Sequence, residues 1–269
     1  MNKRLMFSAA LVMTLLSANA QKRAFTIEDL YRVKGVSSVS LSPDGKTVCY
    51  TASSSDLKNQ KSGSDIYIMN ADGSHAKALT EDGKSSSAVW SKDGKSIFFT
   101  NYEKGTAQIF RMDLTTCETE QVTDYELGIG SPVISPNERY IAFTAEVYPD
   151  LGADAKANKA RMEKKEQGPV QAHIADKLLY RHWTSYNDGR CNHLILFDTQ
   201  TKTYKDLTPG NYSLIFVVGG GITYQFSPDS KEICFVSNHD EHQEASTNAD
   251  LWTVSVNGGE PVCITKENK

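Results

Sequence analysis

The chain of 269 residues is best bounded first by what it lacks. Beyond its first twenty residues, no stretch approaches the roughly 20 consecutive apolar residues that a membrane-spanning helix needs. It has no surplus of positive charge. Lys and Arg number 29 against 33 Asp and Glu, a formal net charge of −4, which excludes a broad basic face for nucleic acid. Cysteine is scarce. Cys49, Cys117, Cys191, Cys234 and Cys263 show no paired metal-site spacing, and their odd number allows at most two internal disulfides. Cys49, Cys234 and Cys263 lie in apolar, β-like runs, where a thiol serves as a small hydrophobe. No Gly-rich phosphate loop occurs, because Gly219-Gly220-Gly221 leads into a strand rather than a helix. No G-x-S-x-G elbow occurs either. The nearest sequence, Gly128-Ile129-Gly130-Ser131-Pro132, places its serine before a proline and a strand, the wrong order for a nucleophile.

The N-terminus reads as an export signal, residues 1–20. Lys3 and Arg4 precede an apolar run from Leu5 to Leu16, and Ala18-Asn19-Ala20 has the small-x-small form of a cleavage site. No Cys follows it, so a lipid anchor is not indicated. The expected location is outside the cytoplasm, in a bacterial periplasm.

What remains is dominated by a repeat. An apolar strand, a turn centred on S-P-D-G-K and an alternating strand recur four times. They begin at Leu41-Ser42-Pro43-Asp44-Gly45-Lys46, Trp90-Ser91-Lys92-Asp93-Gly94-Lys95, Ile134-Ser135-Pro136-Asn137-Glu138-Arg139 and Phe226-Ser227-Pro228-Asp229-Ser230-Lys231. Each unit has a second half that ends in an aliphatic residue plus threonine: Leu79-Thr80, Val122-Thr123, Leu207-Thr208 and Ile264-Thr265. Alternation at period two calls for strands, Pro43 and Pro228 preset a turn, and Gly45 and Gly94 accept a positive φ. Spacings of 49 and 44 residues between Ser42, Ser91 and Ser135 match a four-stranded blade. A lone antiparallel sheet cannot cover both of its faces, and radial packing of such sheets solves this. The expected fold is therefore all-β, a β-propeller of four-stranded antiparallel blades. About four blades are present, at 37–80, 86–123, 131–208 with an insertion at 147–190, and 222–265, in an incomplete ring. The segment from Phe25 to Val36 reads as a strand or short helix entering that ring.

The S-P-D-G-K strand followed by Leu-Thr resembles the propeller repeats of TolB-like proteins and of the prolyl oligopeptidase family of serine peptidases. Three stretches favour the second, in its dipeptidyl and acylaminoacyl peptidase branch. They are Ile141 to Asp150, then Arg181-His182-Trp183 through Asp188-Gly189-Arg190 to His193-Leu194, and Phe226 through Asn238-His239-Asp240 to Pro261. The resemblance implies an N-terminal propeller that covers an active site, admits short peptides and helps hold their N-termini. It also implies a C-terminal α/β-hydrolase domain carrying a Ser-Asp-His triad. That domain has no counterpart here, so the chain is expected to be truncated before it and not to cleave peptides alone. The alternative is a self-contained TolB-like propeller that binds a protein.

For the α-ammonium group of a peptide, carboxylates and an aromatic face are the natural partners. Glu146 at the start of the insertion, with Trp183 and Asp188 near its end, are the candidates, and Arg181 would take a carbonyl or carboxylate. A blander expectation is that Glu146 pairs with Arg181 and Trp183 packs between blades. The run from Ala153 to Gln167, with Lys156, Lys159, Arg161, Lys164 and Lys165 among acids, reads as an exposed helix or mobile arm. His239 and His242, near Asp240, Glu241 and Glu244, read as a solvated loop rather than a metal site, and His182 and His193 have no clear third ligand. No cofactor is expected. Open blade faces are expected to promote self-association.

Overall fold

The computed structural model describes residues 23–170, 172–175, 178, 180–214 and 223–267. The expected export signal and Gly219–Gly221 lie outside these residues. A short helix, α1 (Ile27–Arg32), opens the described chain, with the Asp29 carboxylate accepting from the Thr26 backbone N–H at 2.9 Å. The segment 25–36 is thus a helix leading into a strand.

Four antiparallel four-stranded sheets follow, each running through its strands in order. The first contains β1 (Gly35–Leu41), β2 (Thr47–Asp56), β3 (Lys61–Asn70) and β4 (Lys77–Ala78). The second contains β5 (Ser85–Trp90), β6 (Ser96–Asn101), β7 (Gln108–Asp113) and β8 (Thr119–Gln121). The third takes β9 (Gly130–Ile134) and β10 (Tyr140–Val147), then resumes at β13 (Cys191–Asp198) and β14 (Thr203–Asp206). Its interruption holds α2 (Ala155–Glu166) and a hairpin of β11 (Arg181–His182) and β12 (Ser185–Tyr186). The fourth contains β15 (Tyr224–Phe226), β16 (Glu232–Ser237), β17 (Asp250–Ser255) and β18 (Val262–Cys263). These are propeller blades, and no closed ring forms among the described residues.

The repeated turn is built the same way each time. Ser42 Oγ donates to Asp44 at 2.7 Å and accepts from the Thr47 N–H at 2.9 Å, which ties both ends of the turn to one hydroxyl. Ser91 with Asp93, Ser135 with Asn137 and Ser227 with Asp229 repeat the contact, each at 2.7 Å. The next residue lies in the left-handed region in all four blades: Gly45 at φ 72°, Gly94 at 70°, Glu138 at 59° and Ser230 at 62°. Gly45 has open space where a Cβ would sit, so Gly45→Ala isolates the backbone cost. A loss of about 1 kcal/mol is expected in urea unfolding. An unchanged midpoint would mean that the turn relaxes.

The terminal threonine of each blade is a second repeated device. Its hydroxyl accepts from the N–H of Ile66, Ile109, Leu194 and Leu251, at 2.9 Å in every case. This bond gives the third strand a partner where the short fourth strand has ended.

Cores form between neighbouring sheets. Cys49 and Ile66 of the first blade pack with Ile97 and Phe99 of the second. Phe98 and Ile109 of the second pack with Ile141 and Phe143 of the third. Leu194 and Leu207 of the third pack with Ile233 and Phe235 of the fourth. Polar links cross the same joints: Trp90 Nε1 donates to the Ser40 carbonyl at 3.0 Å, and the Asn137 N–H donates to Ser230 Oγ at 3.1 Å. Because strands alternate in direction, all loops between second and third strands emerge at one end of the blades. The S-P-D-G-K turns sit at the other. The long insertion therefore shares its end with the loops 101–108 and 237–250.

Candidate functional site

The insertion, expected as an exposed helix or mobile arm, is a helix fastened to the third blade. Asp154 caps α2 by accepting from the Ala157 N–H at 3.0 Å. Asn158 is the one residue of the helix with no solvent exposure. Its Oδ1 accepts from the Tyr148 N–H at 2.6 Å, and its Nδ2 donates to the carbonyls of Gly152 and Asp154 at 3.0 and 2.8 Å. Arg161 forms a two-pronged pair with Asp150 at 2.7 and 2.6 Å and lies over the Tyr148 ring. Lys159 approaches Glu126 of the second blade at 3.8 Å. Arg161 and Lys159 of the basic run therefore serve to hold the helix.

Fixed in this way, α2 walls a groove of about 680 Å³ between the second and third blades. Leu127, Ile129, Ala145 and Met162 supply apolar lining, and Gly128 and Gly130 keep the backbone low. A Cβ at Gly130 would lie 2.5 Å from Thr144 Oγ1. The carboxylates Glu126, Glu146, Glu163 and Glu166 outnumber the cations Lys159 and Arg190 on its walls, which favours a positively charged guest.

Glu146 stands on this wall as a sequence-derived candidate, near the end of β10. Its partner is Arg190 at 3.0 Å, which replaces the expected pairing with Arg181. Arg190 also binds Asp188, Nε to Oδ1 at 2.9 Å, and the Tyr148 hydroxyl donates to Asp188 at 3.3 Å. Burial opposes ionisation of Asp188, but the Arg190 guanidinium outweighs it and holds the carboxyl below its usual range. Arg190 is likewise pushed up by Asp188 against the effect of burial. Two candidates, Glu146 and Asp188, thus meet through a residue that sequence reasoning missed.

Arg181 and Trp183 are placed elsewhere. Arg181 lies over the Tyr186 ring, 6.0 Å from its centroid, within the β11–β12 hairpin. Trp183 is at the hairpin tip with φ 48° and is 85% exposed, so it does not pack between blades. Neither residue lines the groove. His239 lies between Tyr212 and Trp252, with ring centroids at 3.8 and 3.9 Å, and burial lowers its pKa. Among the described residues, no three His, Cys, Asp or Glu side chains converge as metal ligands.

His193 has a structural setting. It is fully buried, with Nδ1 2.7 Å from Asp206 Oδ2 and Nε2 3.0 Å from the Gly210 carbonyl. Two acceptors call for two N–H donors, hence an imidazolium. Burial works against that charge, yet the Asp206 carboxylate prevails and raises the pKa to about 9.

Comparison with known proteins places the chain. Residues 18–167 match the family described as the TolB beta propeller domain, and residues 153–269 match the dipeptidyl peptidase IV N-terminal region. The chain is 28% identical to dipeptidyl-peptidase 5 of Porphyromonas gingivalis, over 96% of its own length and 39% of the relative's. It is 25% identical to dipeptidyl-peptidase 5 of Porphyromonas endodontalis, over 92% of its length and 36% of the relative's. The acylaminoacyl peptidase structure from Pyrococcus horikoshii shares the fold at a TM-score of 0.60 and 17% identity, covering 87% of this chain and 33% of that one. The chain thus spans well under half the length of these relatives.

Proposed function

Since this chain belongs to the TolB beta propeller family and is the N-terminal propeller region of a prolyl oligopeptidase-family peptidase, we propose that it gates and orients substrate. In this reading it is part of an exported serine exopeptidase that releases dipeptides or acylated residues from peptide N-termini. The nucleophile would come from an α/β-hydrolase domain, and the propeller would contribute the peptide-holding wall. The supporting observation is the acid-rich groove between the second and third blades. Its floor is apolar, its outer wall is a fastened helix, and Arg190 fixes Glu146 on its rim.

The chemistry follows from that arrangement. A peptide's α-ammonium group seeks carboxylates, while its first side chain seeks apolar surface. Glu146 is held by Arg190, so it meets the ammonium with little reorganisation. Closure over the groove would exclude water and strengthen the contact.

The test is peptide binding by calorimetry and NMR shift mapping. Short peptides with a free N-terminus are expected to bind and to shift α2 and the β10 end. N-acetylation, or Glu146→Gln, should weaken binding about tenfold, the scale of one hydrogen bond to a charged group. Equal binding of free and acetylated peptides would sink the ammonium-holding role. Attention would then pass to the second reading, a TolB-like protein-binding propeller, which the family match over residues 18–167 supports.

A further inference from the structure

The groove between the second and third blades is walled on its outer side by one stripe of α2. Lys159, Met162, Glu163 and Glu166 line it at positions i, i+3, i+4 and i+7, the spacing of a single helix face. Met162 is the apolar member of this stripe. It is half-buried, and so is Leu127 on the segment that joins the two blades. Ile129 and Ala145, by contrast, are each 6% exposed and belong to the inter-blade core. The aliphatic surface left for a guest to cover is therefore mainly that of Met162 and Leu127.

Met162 is also tied to the charged rim. Arg190 Nη1 lies 3.0 Å from Glu146 Oε2 and 3.8 Å from Met162 Sδ, so one nitrogen touches both the carboxylate and the thioether. An amino-terminal residue carries its ammonium group and its side chain on the same Cα. A residue whose ammonium meets Glu146 thus has its side chain within reach of Met162. An acidic side chain there is repelled by Glu146, Glu163 and Glu166. A basic one has to stand beside the Arg190 guanidinium, which already adjoins the sulfur. An apolar one covers the thioether and Leu127 and meets neither penalty. The unbranched, polarizable Met side chain adjusts to aliphatic and aromatic shapes alike.

We infer that Met162 is the specificity-determining residue of the groove and selects peptides whose first residue is large and apolar, over those beginning with glycine or a charged residue. The inference rests on the peptide-holding role proposed above and adds to it the class of peptide. Glu146 answers the ammonium group that all free peptides share. Met162 answers the side chain by which they differ.

Calorimetry on the full chain tests this with peptides that differ only in their first residue: Gly, Leu, Phe, Lys or Asp. The Leu and Phe peptides are expected to bind about tenfold more tightly than the Gly peptide, the scale of one covered side chain. The Asp peptide should bind most weakly. Met162→Ala should bring Leu and Phe down to the level of Gly while leaving the Gly peptide unchanged. Met162→Leu keeps the volume and the apolar surface, so it should restore the preference. A preference that survives Met162→Ala would overturn the inference, as would tighter binding of Lys than of Leu. Equal weakening of every peptide by Met162→Ala would overturn it too, since that marks a purely structural residue. Failure of the underlying ammonium-holding role looks different: free and N-acetylated peptides would then bind alike, whatever their first residue. If no peptide binds, both fall together.

Discussion

Replacing His193 with leucine is expected to cost about 3–5 kcal/mol, the range for removing one partner of a buried ion pair. The imidazole has no solvent exposure, so Asp206 and the Gly210 carbonyl would be left facing an alkyl group. The pH dependence is a sharper test, and its sign is fixed by the direction of the shift. The folded pKa is raised from 6.5 to about 9, so the folded state holds its proton more tightly than the unfolded chain. The contribution is fully present below about pH 6.5 and is lost as pH rises through about 9. Urea midpoints between neutral pH and about pH 10 should therefore fall in the wild type, and the fall should be smaller in His193→Leu. Parallel profiles would refute a buried imidazolium.

Asn158→Ala is expected to act locally and strongly. It removes one acceptor and two donors from a fully buried side chain, which leaves the Tyr148 N–H and the Gly152 carbonyl without these partners, while the Asp154 carbonyl keeps the backbone N–H of residue 158 at 3.0 Å. Each deficit costs about 1 kcal/mol or more. α2 rests on the blade through few other buried contacts, so it should detach before the sheets unfold. Hydrogen exchange across 155–166 should accelerate at least tenfold, while exchange in β10 and β13 stays near its wild-type rate. Arg161→Ala, which removes a partly exposed pair, should change exchange far less. If instead the sheets and α2 lose protection together, the helix is an integral part of the blade. In the peptide-binding reading, the same variant should weaken capture without altering Glu146.

The blades were legible in the sequence because every unit repeats the same local chemistry. Ser42, Ser91, Ser135 and Ser227 bond to the acid or amide two residues on, and that contact needs nothing from the rest of the molecule. Glu146 was legible as a carboxylate at the mouth of the insertion. Its partner was not, because Arg181 and Arg190 are equivalent on the page until the β11–β12 hairpin carries the first away and β13 returns the second. Asn158 carried a faint signal, a single amide in a helix of charges and alanines. Its importance appears only when the chain turns at 148–154 and brings unpaired backbone groups beside it. His193 occupies the place held by Asp65, Gln108 and Asp250 in the other blades, so the break in the repeat was visible. Its charge was not, since Asp206 lies on the neighbouring strand and Gly210 beyond it.

Turns and loops leave the blades at opposite ends, and this separation bears on how such a chain changes over generations. Contacts between the turns, such as Lys92 with Glu138 and Asn137 with Ser230, tie neighbouring sheets at one end. The insertion at 147–190 hangs from the other. A mutation that lengthens, shortens or recharges that insertion need not disturb the turn contacts. The loop end can explore new guests one substitution at a time, while purifying pressure at the turn end keeps the sheets in register. Lineages built on this plan should therefore diverge fastest between β10 and β13 and slowest around the four turn serines.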